Sequence, residues 1–130
     1  MRASSPAPQA AVAPFILSCS PRQGGNSDAA ANLFARAASA ALGLAEVAVV
    51  EHLRRFRIEP CTACYYCTDQ DRESLYAQAL QGTCPLWSCP LSLRDDSAPL
   101  LRRLALAPSL CIVAPIFFYH LPAQLKGLLD

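Results

Sequence analysis

The chain has 130 residues, of which 53% are apolar and 16% charged, and its formal net charge is +1. That length fits one domain with a real core, and the near-neutral balance argues against broad nucleic-acid binding and against a membrane-surface role. No apolar run reaches membrane-spanning length, because the longest, residues 110–119, is interrupted by Pro115. Residues 1–13 are rich in Ala, Pro and Ser, show no periodicity and carry a single basic residue, so they read as a disordered tail and not as a secretion signal. Seven cysteines without such a signal point to a reducing, cytoplasmic setting, where thiols serve metals or redox chemistry more often than structural disulfides.

Phe15, Ile16 and Leu17 form a short apolar strand that stops near Ser18, where small hydroxyl residues and turn formers take over. From Asn26 or Ser27 the pattern becomes helical, with Asp28 in the first turn. Leu33, Phe34, Ala37, Ala38, Ala41 and Leu42 are expected to share the buried face, and Gly43 is the stop. A helix start leaves backbone N–H groups unpaired and carries a partial positive charge, so an anion seated there gains both hydrogen bonds and dipole attraction. Ser18, Ser20 and Ser27 add hydroxyls around that seat, and Arg22 adds a charge. The loop matches neither Gly-x-Gly-x-x-Gly nor an ATP loop ending in Gly-Lys-Ser/Thr.

Residues 45–53, AEVAVVEHL, read as a second strand of β-branched character. Two strands joined by a helix imply a right-handed parallel unit, hence an α/β sheet. His52, with no partner at metal-ligand spacing, is expected at the surface of the strand edge. Residues 54–96 are irregular and hold five of the seven cysteines, with a helical turn or two expected over residues 74–80; a stretch so long and irregular inside a compact domain is commonly functional or held by a ligand. Asp95, Asp96 and Ser97 cap the next helix, which carries Leu100, Leu101, Leu104 and Ala105 and ends before Pro108. Residues 110–114, LCIVA, read as a fully buried parallel strand with Cys111 as a small core residue. The loop IFFYHL then leads to a last helix beginning near Pro122. Ligands of open α/β sheets bind outside the carboxyl ends of the strands, so this aromatic loop and the loop at Ser20 should share one rim, phosphate at one and a flat ring at the other. The alternative for Phe117, Phe118 and Tyr119 is cover for the core or a dimer contact.

The spacing of Cys61, Cys64 and Cys67, followed by Cys84 and Cys89, leaves three readings open. Three thiols at three-residue intervals begin an iron–sulfur ligand run. Cys64, Cys67, Cys84 and Cys89 also resemble a zinc-ribbon layout of two pairs, and Cys64 with Cys67 forms a dithiol pair that suits redox chemistry without metal. A nucleophilic cysteine lacks a supporting His-Asn/Asp pattern.

The loop SCSPRQGGNS resembles the phosphate loop of the flavodoxin-like NAD(P)H-dependent FMN reductases, usually Gly-Ser-Pro-Arg followed by small residues and Asn-Ser/Thr; Cys19 stands at a common glycine. The stretch APIFFYHLPAQLKGLLD is similar to that family's second flavin loop and following helix, with Pro115, Phe117, Phe118, Ala123, Gln124, Leu125, Lys126 and Asp130 on the pattern. Phe117 replaces a tyrosine and His120 a glycine. His120 is an alternative contact to flavin or substrate. The cysteine segment also resembles members carrying Cys-x-Gly-Cys-x-x-Cys, Gly-x-Cys and Asp-Asp, matched by Gly82-Thr83-Cys84 and Asp95-Asp96. Some of those members hold a four-iron cluster and many do not.

The resemblance implies a flavodoxin-like three-layer sandwich around a parallel sheet over residues 14–130, with a cysteine-rich insertion at 54–96. Set against the family pattern, the last strands are expected to be missing, and the open sheet edge that results is expected to be covered by a second copy or a partner chain. It further implies FMN bound by Ser18, Ser20, Pro21, Arg22, Gly25, Asn26 and Ser27 at the phosphate and by Pro115, Ile116, Phe117 and Phe118 at the ring. A [4Fe-4S] cluster on Cys61, Cys64, Cys67 and Cys84 is a further expectation. The implied activity moves electrons from NAD(P)H through flavin to a small acceptor or a redox protein. The competing expectations are a non-enzymatic iron–sulfur or zinc module and an inactive, truncated remnant.

Overall fold

The computed structural model describes residues 12–63, 77, 78, 81 and 94–129. Strand β1 (Phe15–Ser18) is followed by helix α1 (Asn26–Leu42), β2 (Val50–His52), a 3-10 turn (Leu53–Arg55), α2 (Ser97–Leu106), β3 (Leu110–Val113) and α3 (Ala123–Leu129). The strands form one parallel sheet in the order β2-β1-β3. This is the expected α/β, flavodoxin-like arrangement, and the sheet is not closed.

β1 is central, and the alternation of its side chains builds a core on each face. Leu17 and Cys19 join Leu53, Leu100, Leu125 and Leu128 on the side covered by α2 and α3, whereas Ile16 joins Ala31, Ala35 and Ala48 on the α1 side. Burial of this apolar surface is the main stabilising term. At the outer rim of the α2 face, Arg103 pairs with Glu51 and lies 5.0 Å from the centre of the Phe15 ring, tying α2 to both β2 and β1.

Helix α1 buries a different face from the one expected. Asp28, Ala31, Ala35 and Ser39 are the buried positions, while Leu33 and Phe34 stay 62% and 42% exposed. An i, i+4, i+8 row of small side chains seats the helix closely on the sheet, and an alanine-rich helix offers apolar residues on both faces, so periodicity alone does not select one. The stop at Gly43 is as expected: it adopts φ 65°, its N–H binds Ala40 O, and Leu44 N–H binds Ser39 O. Those two bonds form a Schellman cap.

The second strand is shorter than residues 45–53. Only Val50–His52 joins the ladder, since Ala48 donates its N–H to Ser39 Oγ at 2.8 Å and is thereby fastened to α1. Val47 and Val49 are exposed. β3 is likewise less buried than a fully apolar strand suggests: it is an edge strand among the described residues, with Leu110 and Ile112 exposed and Cys111 half-buried against the α1-side core. Helices α2 and α3 lie where expected. The Asp95-Asp96 pair fastens the start of α2 to the chain after the 3-10 turn: Asp95 accepts from Ser97 N–H and Oγ and from Glu59 N–H, and Asp96 accepts from Arg57 N–H. Of the helix expected over residues 74–80, only Ala77 and Gln78 are described, and both are helical. Among the described residues, no helix is long and apolar enough to cross a membrane.

Candidate functional site

Parallel pairing puts the carboxyl ends of all three strands on one rim. Ser18 stands opposite His52 of β2 and Val113 of β3, and Cys19 extends the ladder by donating its N–H to Val113 O at 2.8 Å. The loop that follows β1 and the aromatic loop that follows β3 therefore leave the sheet side by side, as expected.

The first loop is fixed by its own polar groups. Arg22 N–H donates to Ser20 Oγ at 3.2 Å, and that hydroxyl lies 3.1 Å from Arg22 O. Gly24 sits at φ 70° with open space around the position a Cβ would occupy, so backbone conformation and not crowding favours glycine there. Gly25 caps α1 in an extended conformation, and the first intrahelical bond runs from Ala29 N–H to Gly25 O. The amides of Asn26, Ser27 and Asp28 therefore have no partner within the helix. Pro21 and Arg22 are exposed, Gly25 and Ser27 half-buried and Asn26 exposed.

Ser18 plays a different part from the other loop residues. It is fully buried, and its hydroxyl donates to Asp28 Oδ1 at 2.6 Å. Asp28 is the hub beneath the loop. Its Oδ2 accepts from Gly24 N–H at 2.8 Å, and Arg54 holds both oxygens, with one guanidinium nitrogen 3.0 Å from Oδ1 and the other 2.9 Å from Oδ2. Burial by itself would raise the Asp28 pKa, but the bonds from Arg54, Ser18 and Gly24 and the Arg54 charge prevail and hold it well below the usual carboxylate range. His52, expected at the surface, instead lies inside this cluster: its side chain is 15% exposed, and Nδ1 is 3.2 Å from Asp28 Oδ1 without the alignment of a hydrogen bond. The parallel register explains the placement, because Ser18 and His52 are paired neighbours on the face that α1 covers. Asp28, His52 and Arg54 carry no short-range signal. Their relation becomes readable only when the residues following each parallel strand are gathered on one rim.

Cys19 is buried, and desolvation pushes its thiol up to about 11, leaving it a packed, unreactive side chain at the foot of the loop.

The second loop is a tight hairpin. Phe117 and His120 exchange backbone hydrogen bonds of 3.0 and 2.8 Å, and the two residues between them, Phe118 and Tyr119, both have positive φ, 47° and 66°. That is the conformational pattern of a type I′ turn, which normally selects Asn and Gly. Two aromatic residues held there are strained, and they are 94% and 99% exposed. Pro115 is half-buried, while Ile116, Phe117 and His120 are exposed. The aromatics thus do not cover the core.

The thiol set cannot be assembled from the described residues. Cys61 is exposed and accepts from Ala63 N–H at 3.4 Å, whereas Cys64, Cys67, Cys84 and Cys89 lie outside the described residues. Among the described residues, no group of three or more His, Cys, Asp or Glu side chains is placed to hold a metal ion. The iron–sulfur expectation has no support there.

The family described as NADPH-dependent FMN reductase matches residues 15–130. No curated protein and no solved structure gives a significant match.

Proposed function

The chain belongs to the NADPH-dependent FMN reductase family, and on that premise we propose that it is an FMN-dependent NAD(P)H oxidoreductase whose flavin seat is the rim formed by the loops after β1 and β3. The observation that carries this reading is the bond from Cys19 N–H to Val113 O, which brings a helix-start anion seat and an exposed aromatic hairpin off adjacent strand ends. The donor set fits a phosphate monoester: the open amides of Asn26 and Ser27, the hydroxyl of Ser27 and the exposed cation of Arg22, while the buried Ser20 hydroxyl shapes the loop through Arg22. Asp28 does not spoil the seat, because its carboxylate faces inward to Ser18 and Gly24 and is matched by Arg54. Ser18 then acts beneath the loop, aligning Asp28, and not as a phosphate donor. Pro115, Ile116, Phe117 and Phe118 would border the ring, with Tyr119 beside them.

Bound FMN supplies the centre that takes hydride from the nicotinamide and passes electrons to an acceptor. The residues of the chain hold the phosphate, border the ring and keep the carboxylate of Asp28 turned away from the ligand. The test is titration of the purified full chain with FMN, read by quenching of flavin fluorescence and confirmed by a flavin absorbance spectrum that stays with the protein through gel filtration. Saturable uptake near one FMN per chain is expected, and Arg22→Ala should weaken it by roughly threefold to tenfold. A correctly folded chain that takes up no FMN would remove the reading.

A further inference from the structure

We propose that Arg54 is a positioning residue for the phosphate-seating loop: its bidentate pairing with Asp28 locks the loop open and cancels a carboxylate that would otherwise oppose the ligand's anion. This rests on the flavin reading for its ligand, though its structural half does not. Arg54 belongs to the 3-10 turn after β2, 26 residues from Asp28, and touches the loop at two levels. Both terminal nitrogens bind the Asp28 carboxylate, and one also donates to Ser20 O at 3.3 Å. Through Asp28 the same guanidinium is linked to Gly24 N–H, on the far side of the loop, and to the Ser18 hydroxyl at the end of β1.

Three chain segments thus meet on one carboxylate, and two points of the loop, Ser20 and Gly24, are held relative to each other. The Asp28 and Arg54 side chains are 7% and 16% exposed, so the pair sits in surroundings that screen charge poorly. Among the described residues, His52 is the other titratable group against the carboxylate, and it is not aligned to replace the guanidinium. Asp28 is the third residue of α1, within the turn whose amides face an incoming phosphate. An ionised carboxylate left without its cation there would lower the local potential that attracts the phosphate and free the loop to move. A planar five-donor fork is required, since an ammonium in the same place matches the charge but not the two parallel bonds together with the Ser20 contact.

The experiment uses the full chain and three variants: Arg54→Met, Arg54→Lys and the double variant Asp28→Asn/Arg54→Met. FMN affinity is measured by fluorescence titration, and exchange of the Gly24 amide is followed by NMR in the absence of ligand. Arg54→Met should weaken FMN binding by about tenfold or more and speed Gly24 exchange by a similar factor. Arg54→Lys should fall between it and the parent. The double variant should recover affinity to within about threefold of the parent, because the stranded charge is gone while the amide oxygen introduced by Asp28→Asn can still accept from Gly24 N–H. A residue that merely stabilised the fold would shift the urea midpoint of Arg54→Met while leaving the FMN affinity of the folded chain at the parent's value. Unchanged affinity and unchanged Gly24 exchange in Arg54→Met would overturn the proposal, as would a double variant that binds no better than Arg54→Met. If the parent chain takes up no FMN, the flavin reading falls separately, and Gly24 exchange still decides whether Arg54 holds the loop.

Discussion

Asp28 shows how one side chain can look ordinary in sequence and be central in three dimensions. An acid in the first turn of a helix is a common helix-stabilising feature, and nothing nearby distinguishes it. Its partners Ser18 and Arg54 are 10 and 26 residues away, and they become partners only when β1, β2 and α1 converge. Asp28→Ala should lower stability by about 2–3 kcal/mol, because it strands a partly buried guanidinium as well as removing the carboxylate's bonds. A shifted urea midpoint at unchanged slope would verify this. The folded-state pKa of Asp28 is depressed, so its contribution is full above the ordinary carboxylate pKa and is lost as pH falls toward the lowered folded value. Between about pH 5 and pH 2, the stability gap between the parent and Asp28→Ala should therefore narrow as acid is added. A gap that widened on acidification would contradict the pairing.

At the scale of elements, the parts built on short-range rules were legible. The apolar run of β1, the Pro21 and glycine turn signals, the Gly43 stop and the Asp95-to-Ser97 start of α2 each act within a few residues, and each is found where the sequence pattern puts it. The buried face of α1 and the start of β2 were not legible. Both are decided by the fit of Ala31, Ala35 and Ser39 against the sheet and by the Ser39 hydroxyl taking Ala48 N–H, which are long-range contacts. For the proposed site, the positions of the loops carrying Arg22 and Phe118 at the carboxyl ends of adjacent strands were readable, whereas the Ser18–Asp28–Arg54 cluster beneath the first loop was not. The hairpin supplies its own prediction. Tyr119 holds φ at 66°, so Tyr119→Gly should raise stability by roughly 0.5–1 kcal/mol, after subtracting glycine's greater unfolded-state freedom from the relief of strain. Thermal melts of the two proteins measure it, and Phe118→Ala in the same series should leave stability nearly unchanged while weakening FMN uptake by a fewfold.

Across the whole molecule, the sheet places both cores on β1, so neither face can open without disturbing the strand that launches the first loop. Ligand taken up by the folded form and not by the unfolded chain adds stability by mass action. FMN at a hundred times its dissociation constant should therefore contribute about 2.7 kcal/mol and raise the melting temperature by about 10 °C. Scans at several FMN concentrations check this, and a midpoint independent of FMN would contradict uptake by the native state.

The two loops proposed to seat the flavin are held to different degrees. Gly24 is tied to Asp28, and through it to Ser18 of the central strand, and Ser20 is tied to Arg54, whereas Phe118 and Tyr119 ride on an exposed hairpin tip closed only by the Phe117–His120 backbone bonds. A cofactor gripped at both should peel away from its aromatic end, swinging about a phosphate that is the last part to leave.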